Sequence, residues 1–160
     1  MKNVLLFLVF YSCLNYSQNL SFDEFLSLKN KNTVEVNLFF KGKGWHLFSE
    51  LKPQLDKQGI IVFKMEKQKS NVNFWNGETL IECYSYKNAN VSKLRFTTAS
   101  KEIFNSYLTQ IKKLNYKVVA SSIKDKVNNY TYQNDKLIIK TEDGSFFKKK
   151  CYVITVTDKY

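Results

Sequence analysis

His46 is the only histidine in the chain, so a catalytic site of the Ser-His or Cys-His type would have to use it as the general base. It lies between Trp45 and Leu47 at the start of a predicted strand, and nothing nearby in the sequence resembles an activated nucleophile. A zinc site needs three or four ligands, and one histidine with the distant Cys83 and Cys151 offers too few. The sequence therefore predicts no catalytic residue, no metal site and no cofactor. His46 is interpreted as a partly exposed residue at a strand edge.

Carboxylates are the remaining groups that could do chemistry. Glycosidase-type hydrolysis requires two acids on opposite sides of a cleft, and Glu66, Glu78, Glu82 and Glu142 lie on or beside predicted strands. Alternation places Glu82 on the same strand face as Tyr84. Because acids are common on solvated sheet faces, hydrolysis of an envelope polymer is an alternative function and not the leading one.

Two features could form a binding surface. The first is a set of aromatic residues on or next to predicted strands: Phe74, Trp75, Tyr84, Tyr86, Tyr130 and Tyr132. If they are exposed, these rings offer contact area for a protein or a glycan; the alternative is that they pack beneath helices. The second is the run Lys148, Lys149 and Lys150, predicted to lie in a loop before the last strand. It could contact an anionic envelope surface, or it could simply be a solvated loop.

Residues 1–17 have the pattern of an export signal. A positive start is followed by an apolar run over residues 4–11 and a small polar stretch. The apolar run is too short to span a bilayer. We expect cleavage between Ser17 and Gln18 and a periplasmic or extracellular protein. The alternative is a lipid anchor on Cys13, although the bulky pair Phe10 and Tyr11 before it makes a poor lipoprotein processing site.

Composition predicts a folded protein with anionic partners. Apolar residues make up 44 % of the chain and aromatic residues 16 %, which excludes disorder and suggests a sheet-rich core. The formal net charge is +11, which favours a protein or an anionic envelope component as partner. Of the 25 basic residues only Arg95 is arginine. Because arginine is the residue best suited to phosphate and guanine, nucleic acid is not expected as a partner. Cys83 and Cys151 could form a disulfide or remain two buried thiols.

The elements predict an α+β fold, an antiparallel sheet or sheets with helices on one face. A capping box at Ser21 and Glu24 begins a first short helix, and Thr33 is expected to cap a second. The segment Lys41-Gly42-Lys43-Gly44 is interpreted as a helix end with a left-handed glycine cap, since the context of a phosphate-binding loop is missing. The clearest helix runs over residues 100–114, and its apolar residues are predicted to line one face: Ile103, Phe104, Tyr107, Leu108, Ile111 and Leu114. Tight turns are expected at Asn134-Asp135 and at Asp143-Gly144.

The order of elements suggests two repeats, residues 18–98 and 99–160, each with helical segments followed by four strands, together forming one compact domain. The junctions correspond at an offset of 71 residues. Phe40-Lys41 leading to Trp45 falls on Ile111-Lys112 leading to Tyr116. In each half a helix ends, a tight turn follows, and a strand starts with an aromatic residue.

Short motifs carry a resemblance. Lys43-Gly44-Trp45 and Tyr130-Thr131-Tyr132-Gln133 resemble segments of small exported proteins of AT-rich Gram-negative bacteria. The tandem architecture resembles that of the β-lactamase-inhibitor-protein family. That resemblance covers nearly the whole mature chain and implies a non-enzymatic inhibitor-like module, but no motif here matches the family's inhibitory contacts. We therefore expect an exported, non-enzymatic binding module that contacts a macromolecular partner through a sheet face. The alternatives are an envelope-polymer hydrolase or a lipid-anchored structural envelope protein.

Overall fold

A computed structural model describes residues 20–65, 79–146 and 149–159. Outside the described residues lie the predicted export signal with Cys13, the acids Glu66 and Glu78, and the candidate residues Phe74, Trp75 and Lys148. Three α-helices are present in the described part: α1 (Phe22–Ser27), continued by a 3-10 turn (Leu28–Asn30), α2 (Thr33–Phe40) and α3 (Lys101–Lys113). The strands are β1 (Trp45–Leu51), β2 (Gly59–Met65), β3 (Leu80–Ser85), β4 (Val91–Thr98), β5 (Lys117–Lys124), β6 (Val127–Gln133), β7 (Leu137–Phe146) and β8 (Lys149–Asp158).

The strands form one eight-stranded antiparallel sheet in the order β1-β2-β3-β4-β8-β7-β6-β5. The predicted α+β class with an antiparallel sheet is therefore confirmed. Each half of the chain contributes a meander of four strands, and the last strands of the two halves pair in the middle of the sheet. The strand order is consequently symmetric about the β4–β8 pair, and the first strand of each half lies at an outer edge.

An aromatic cluster beneath the helices joins the two halves of the chain. The Tyr107 ring on α3 lies 4.8 Å from Phe96 on β4, 5.2 Å from Phe22 and 5.9 Å from Phe25 on α1 (ring centroids). Its hydroxyl donates a hydrogen bond to the backbone oxygen of Leu20 at 2.8 Å, and burial raises the pKa of Tyr107. Helices from both halves therefore cover the same face of the sheet, the helix face.

An ion pair at one end of the sheet also links the halves. The buried Lys29 ammonium, on the 3-10 turn of the first half, lies 2.7 Å from the Asp158 carboxylate at the end of β8. The same ammonium donates to the backbone oxygen of Ser92 on β4. A buried lysine is stable only when its charge is paired and hydrogen-bonded, and here the partners come from both halves.

Helix caps follow the sequence with one correction. Ser21 and Glu24 form the predicted capping box, and Ser100 caps α3. The second helix is capped by Asn32 and not by Thr33, because the Asn32 side chain accepts from the backbone of Val34 and Glu35. Asparagine and threonine both suit this position, so the sequence alone favoured the wrong neighbour.

The residues that lead into the first strand of each half correspond at the offset of 71 residues. Gly44 and Asn115 occupy corresponding positions, and both have a positive φ, 72° and 58°. Glycine and asparagine are the residues that adopt this conformation most readily. Each is followed by a buried aromatic residue, Trp45 or Tyr116. In both halves a left-handed residue directly precedes the ring that enters the core, although α2 ends at Phe40, four residues before Gly44, and α3 ends at Lys113, two residues before Asn115.

A β-bulge follows at the same offset. The β1–β2 ladder shifts its register between Leu47 and Ser49, and the β5–β6 ladder shifts between Val118 and Ala120. Bulges bend and twist the strand that carries them and are common at sheet edges, where they discourage pairing with another chain. Both outer strands of the sheet therefore carry the same irregularity in the same place.

Of the two predicted turns, the one at Asn134-Asp135 is confirmed and the one at Asp143-Gly144 is wrong. The Asn134 carboxamide oxygen accepts from the backbone of Lys136 and Leu137 and closes the β6–β7 hairpin. Asp143 and Gly144 instead lie inside β7 and pair with Tyr152 and Cys151 on β8. Glycine is required there for space, because a Cβ on Gly144 would lie 2.6 Å from a methyl of Val127. Among the described residues, no helix is long and apolar enough to cross a membrane.

Candidate functional site

The candidate tyrosines lie on opposite faces of the sheet. Tyr132 belongs to a cross-strand row with the core residues Ile139 on β7, Val156 on β8 and Leu94 on β4. Tyr130 lies two residues away on the same strand, with its ring 6.3 Å from that of Tyr132. Both therefore belong to the helix face. Tyr132 is 5 % exposed and is a core residue, whereas Tyr130 is 44 % exposed.

Tyr84 lies on the other face, which we call the open face because no described helix packs on it. It pairs with Lys93 on β4, and the next residues in that row are Thr157 on β8 and Ile138 on β7. Its neighbour Cys83 points into the core. The six aromatic residues therefore do not form one platform: Tyr84 is separated by the sheet from Tyr130 and Tyr132. Tyr86 follows the end of β3 and is exposed.

The Tyr84 side chain is held by charged neighbours. The Lys93 ammonium lies 3.6 Å from the centre of its ring, a distance at which the cation is attracted to the ring face. The Tyr84 hydroxyl donates to the Glu82 carboxylate at 3.2 Å. Burial, together with the negative charge of Glu82, raises the pKa of Tyr84. The tyrosine therefore stays protonated as a hydrogen-bond donor on the open face.

A cavity of about 260 Å³ opens on the open face between β3 and β7. Cys151 and Val153 on β8 are buried at its base, and Gly144 faces it from β7. Its lining comes from five strands of both halves: Leu80, Glu82, Arg95, Thr97, Val127, Glu142, Gly144, Ser145, Cys151 and Val153. A side chain at position 144 would collide with Val127, so the glycine helps to keep this space open.

Three of the described residues that line the cavity are charged: Glu82, Arg95 and Glu142. The Arg95 guanidinium lies 3.4 Å from the Glu82 carboxylate, and the side chains are 42 % and 21 % exposed, so the pair is only partly screened by solvent. Glu142 approaches from β7 on the far side. No hydrogen bond or ion pair joins its carboxylate to another described residue. Among the described residues, the cavity therefore contains one paired carboxylate, Glu82, and one carboxylate without an ion-pair partner, Glu142.

The two cysteines cannot form a disulfide with each other in this fold. Cys83 points to the helix face, whereas Cys151 lies on the open face two strands away, and a disulfide needs the Cα atoms within about 7 Å. Both are free thiols. Burial raises the pKa of Cys83 to about 12. Burial also raises the pKa of Cys151, against the opposing effect of Arg95. Neither thiol is therefore activated as a nucleophile.

Two lysines of the basic run, Lys149 and Lys150, lie in a strand and not in the predicted loop. Lys149 and Lys150 belong to β8, where they pair with Phe146 and Ser145 on β7. The Lys150 ammonium lies 2.5 Å from the Asp143 carboxylate, and that hydrogen bond raises the pKa of Lys150. The pairing with β7 extends the strand past the point where the lysine run suggested a loop. The Lys150 side chain is therefore paired with Asp143 and is not among the residues that line the open-face cavity.

His46 lies where the sequence placed it. It is exposed on the edge strand β1, opposite Lys64 on β2. Within the described residues, no group of three or more histidine, cysteine or acidic side chains could hold a metal ion. Sequence reasoning missed the cavity residues Arg95, Val127 and Val153. The sequence did contain one signal that could have identified Arg95 as a candidate, since it is the only arginine in a lysine-rich chain.

Comparisons with protein-family models, curated proteins and solved structures give no match for the chain. The function is therefore argued from the geometry of the chain's own residues.

Proposed function

We propose that the protein is an exported, non-enzymatic binding module of the inhibitor type, which holds a protein partner against the open face of its sheet. The observation that supports this most is the open face itself. The described helices all cover one face of the single sheet, and the other face presents Tyr84, Lys93 and a cavity to which both halves contribute. Tyrosine and arginine are enriched among the residues that dominate binding energies at protein interfaces.

The proposal of export is supported by the signal-like pattern of residues 1–17, and export would place this surface in the periplasm or outside the cell. Without an activated thiol or a metal-ligand cluster among the described residues, shape and charge are the properties that the face offers. The inhibitor-like part of the proposal is supported by the two-part architecture, in which two helix-plus-four-strand halves share one sheet. An intact mass of the secreted protein that begins at Gln18 is the expected result, and a lipid-modified Cys13 would contradict it.

Replacing Tyr84 by alanine is expected to weaken binding of the partner by at least about tenfold, because the change removes an anchor ring from the open face. The immobilised mature chain would first capture envelope or extracellular proteins, and the protein retained would then be titrated against the variants. Tyr130→Ala is the matched control, since Tyr130 is a half-exposed tyrosine on the opposite face. Equal loss in both variants, or unchanged binding by Tyr84→Ala, would remove the open face as the binding surface.

A hydrolase is the second candidate function, because Glu82 and Glu142 line the same cavity. Their strands, β3 and β7, are three strand spacings apart in the sheet, about 14 Å between backbones. Glycosidase carboxyl groups lie about 5–9.5 Å apart, so both side chains would have to lean inward. We expect no release of soluble fragments from purified peptidoglycan; release that Glu142→Gln abolishes would instead establish the hydrolase.

A further inference from the structure

We infer that the open-face cavity receives a basic side chain of the partner, an ammonium or guanidinium group at the end of an aliphatic stem. This inference rests on the proposed binding function and adds the chemistry of the group that enters the cavity. It is carried by the size of the cavity, by the apolar residues in its wall and by the charges that line it.

The volume favours one side chain over a whole small molecule. Pockets for drug-sized ligands generally have volumes of about 300–1,000 Å³, and this cavity measures about 260 Å³. It is open to solvent along the sheet, so a side chain projecting from a partner's surface can enter while its backbone remains outside. A protein partner seated on the open face would therefore bring such a group to the cavity without rearrangement.

The walls suit an aliphatic stem. Leu80 on β3, Val127 on β6 and Val153 on β8 contribute apolar surface from three different strands. Lysine and arginine bury their methylene groups along such surface while the charged end reaches a polar group. Thr97 and Ser145 add polar groups at the lining. The cavity thus offers apolar contact along a stem and polar contact at its end.

Charge decides which end group fits. Glu82 already has Arg95 at 3.4 Å and the Tyr84 hydroxyl at 3.2 Å, whereas Glu142 has no such partner among the described residues. The described part of the lining therefore carries two negative charges and one positive charge. A neutral apolar group would cover Glu142 and leave a desolvated charge, and an acidic group would repel it. A basic group would pair with it.

The acidic cavity contrasts with the rest of the molecule. The chain has a formal net charge of +11, so its overall field attracts an acidic partner over long distances. A short-range contact would then help to select the orientation of that partner, and complementary charges at an interface act in this way. A basic side chain that enters the cavity beside Glu142 would set the orientation of a mostly acidic surface on the open face.

Cys151 is a natural reporter of occupancy, because it lies at the base of the cavity and Cys83 lies on the other face. The probes are Nα-acetyl-lysine N-methylamide, the corresponding arginine derivative and the norleucine derivative, which has the same apolar stem without the charge. The rate at which methyl methanethiosulfonate modifies Cys151 would be followed by peptide mapping. We expect the lysine or the arginine probe to slow this reaction several-fold, and the norleucine probe to have little effect.

Glu142→Gln should remove the protection, since it keeps the shape of the side chain and loses its charge. Glu50→Gln is the matched control, because Glu50 is an exposed acid on the edge strand β1, and protection should survive there. Circular dichroism of both variants checks that the fold is retained. The probe comparison on the unaltered protein does not depend on either variant.

Equal protection by all three probes would show an apolar pocket and overturn the inference, as would no protection by any of them. The outcomes also separate this inference from the function on which it rests. If Tyr84→Ala abolishes partner binding and no probe protects Cys151, the open face binds a partner, but the inference that a basic side chain enters the cavity is wrong. If the basic probes protect Cys151 and Tyr84→Ala binds the partner normally, the cavity does bind a basic group, but the open face is not the surface that holds the partner.

Discussion

Replacing Phe25 by alanine is expected to lower the free energy of unfolding by about 3–5 kcal/mol, the usual cost of deleting a buried phenylalanine ring. Phe25 on α1 is fully buried, and its ring lies 5.8 Å from Phe96 on β4 and 5.9 Å from Tyr107 on α3. Since a domain is stable by only about 5–15 kcal/mol, this loss would leave little stability. Urea denaturation followed by circular dichroism measures it directly.

Phe48→Ala provides the matched comparison on β1. Phe48 is 64 % exposed, lies within the bulge and has the Lys64 ammonium 5.6 Å from its ring centre. The same atoms are removed, but the Phe48 ring buries little apolar surface in the folded protein. We therefore expect the free energy of unfolding to fall by less than about 1 kcal/mol. Similar losses in the two variants would show that the aromatic cluster under the helices does not hold the molecule together.

Local pattern was sufficient to predict most elements of the described residues. The spacing of Phe104, Tyr107 and Ile111 predicted a helix with one buried face, and those three residues are the buried ones on α3. Leu114, expected on the same face, is instead 44 % exposed, because the helix ends there and the chain turns at Asn115. Periodicity reports which side of an element is apolar, but not where the packing ends.

The composition of the binding face could not be predicted in the same way. The sequence showed that Tyr84 and Tyr132 lie on strands, but their relative placement depends on which strands pair and in what register. The pairing of Leu94 with Val156 at the centre of the sheet puts Cys83 and Tyr132 on the helix face and leaves Tyr84 on the open face. A shift of one residue in a single ladder would exchange the faces.

The cavity likewise depends on strand pairing, which local sequence patterns do not reveal. Leu80 and Val127 are 47 positions apart in the chain and contribute to one wall only because β4 and β8 join the two meanders. A turn at Asp143-Gly144 was a sound expectation from residue types alone, yet Gly144 serves close packing against Val127. Glycine in a strand often marks such a close approach, and only the pairing with β8 distinguishes this use from a turn.

The correspondence between the halves now rests on backbone features as well as on residue types. A left-handed residue, a buried aromatic residue and a bulge recur at one offset, and the first and the last of these are unusual backbone conformations. We propose that the two halves descend from a duplication of one helix-plus-four-strand unit. Such a unit would have an open edge at its fourth strand, and pairing β4 with β8 satisfies both edges at once.

Because the two meanders share a sheet and a core, damage to the second half should destabilise the first. Replacing Ile111 by alanine is expected to lower the free energy of unfolding by about 2–5 kcal/mol, since Ile111 on α3 is fully buried. Both tryptophans, Trp45 and Trp75, belong to the first half. Their fluorescence should therefore report the loss at the same urea concentration as circular dichroism does, as two-state unfolding requires.

Leu114→Ala is the matched control. Leu114 is an exposed aliphatic residue at the end of the same helix, so its replacement should shift neither signal appreciably. A fluorescence transition that stays in place in Ile111→Ala while the circular dichroism transition moves would mean that the halves unfold separately.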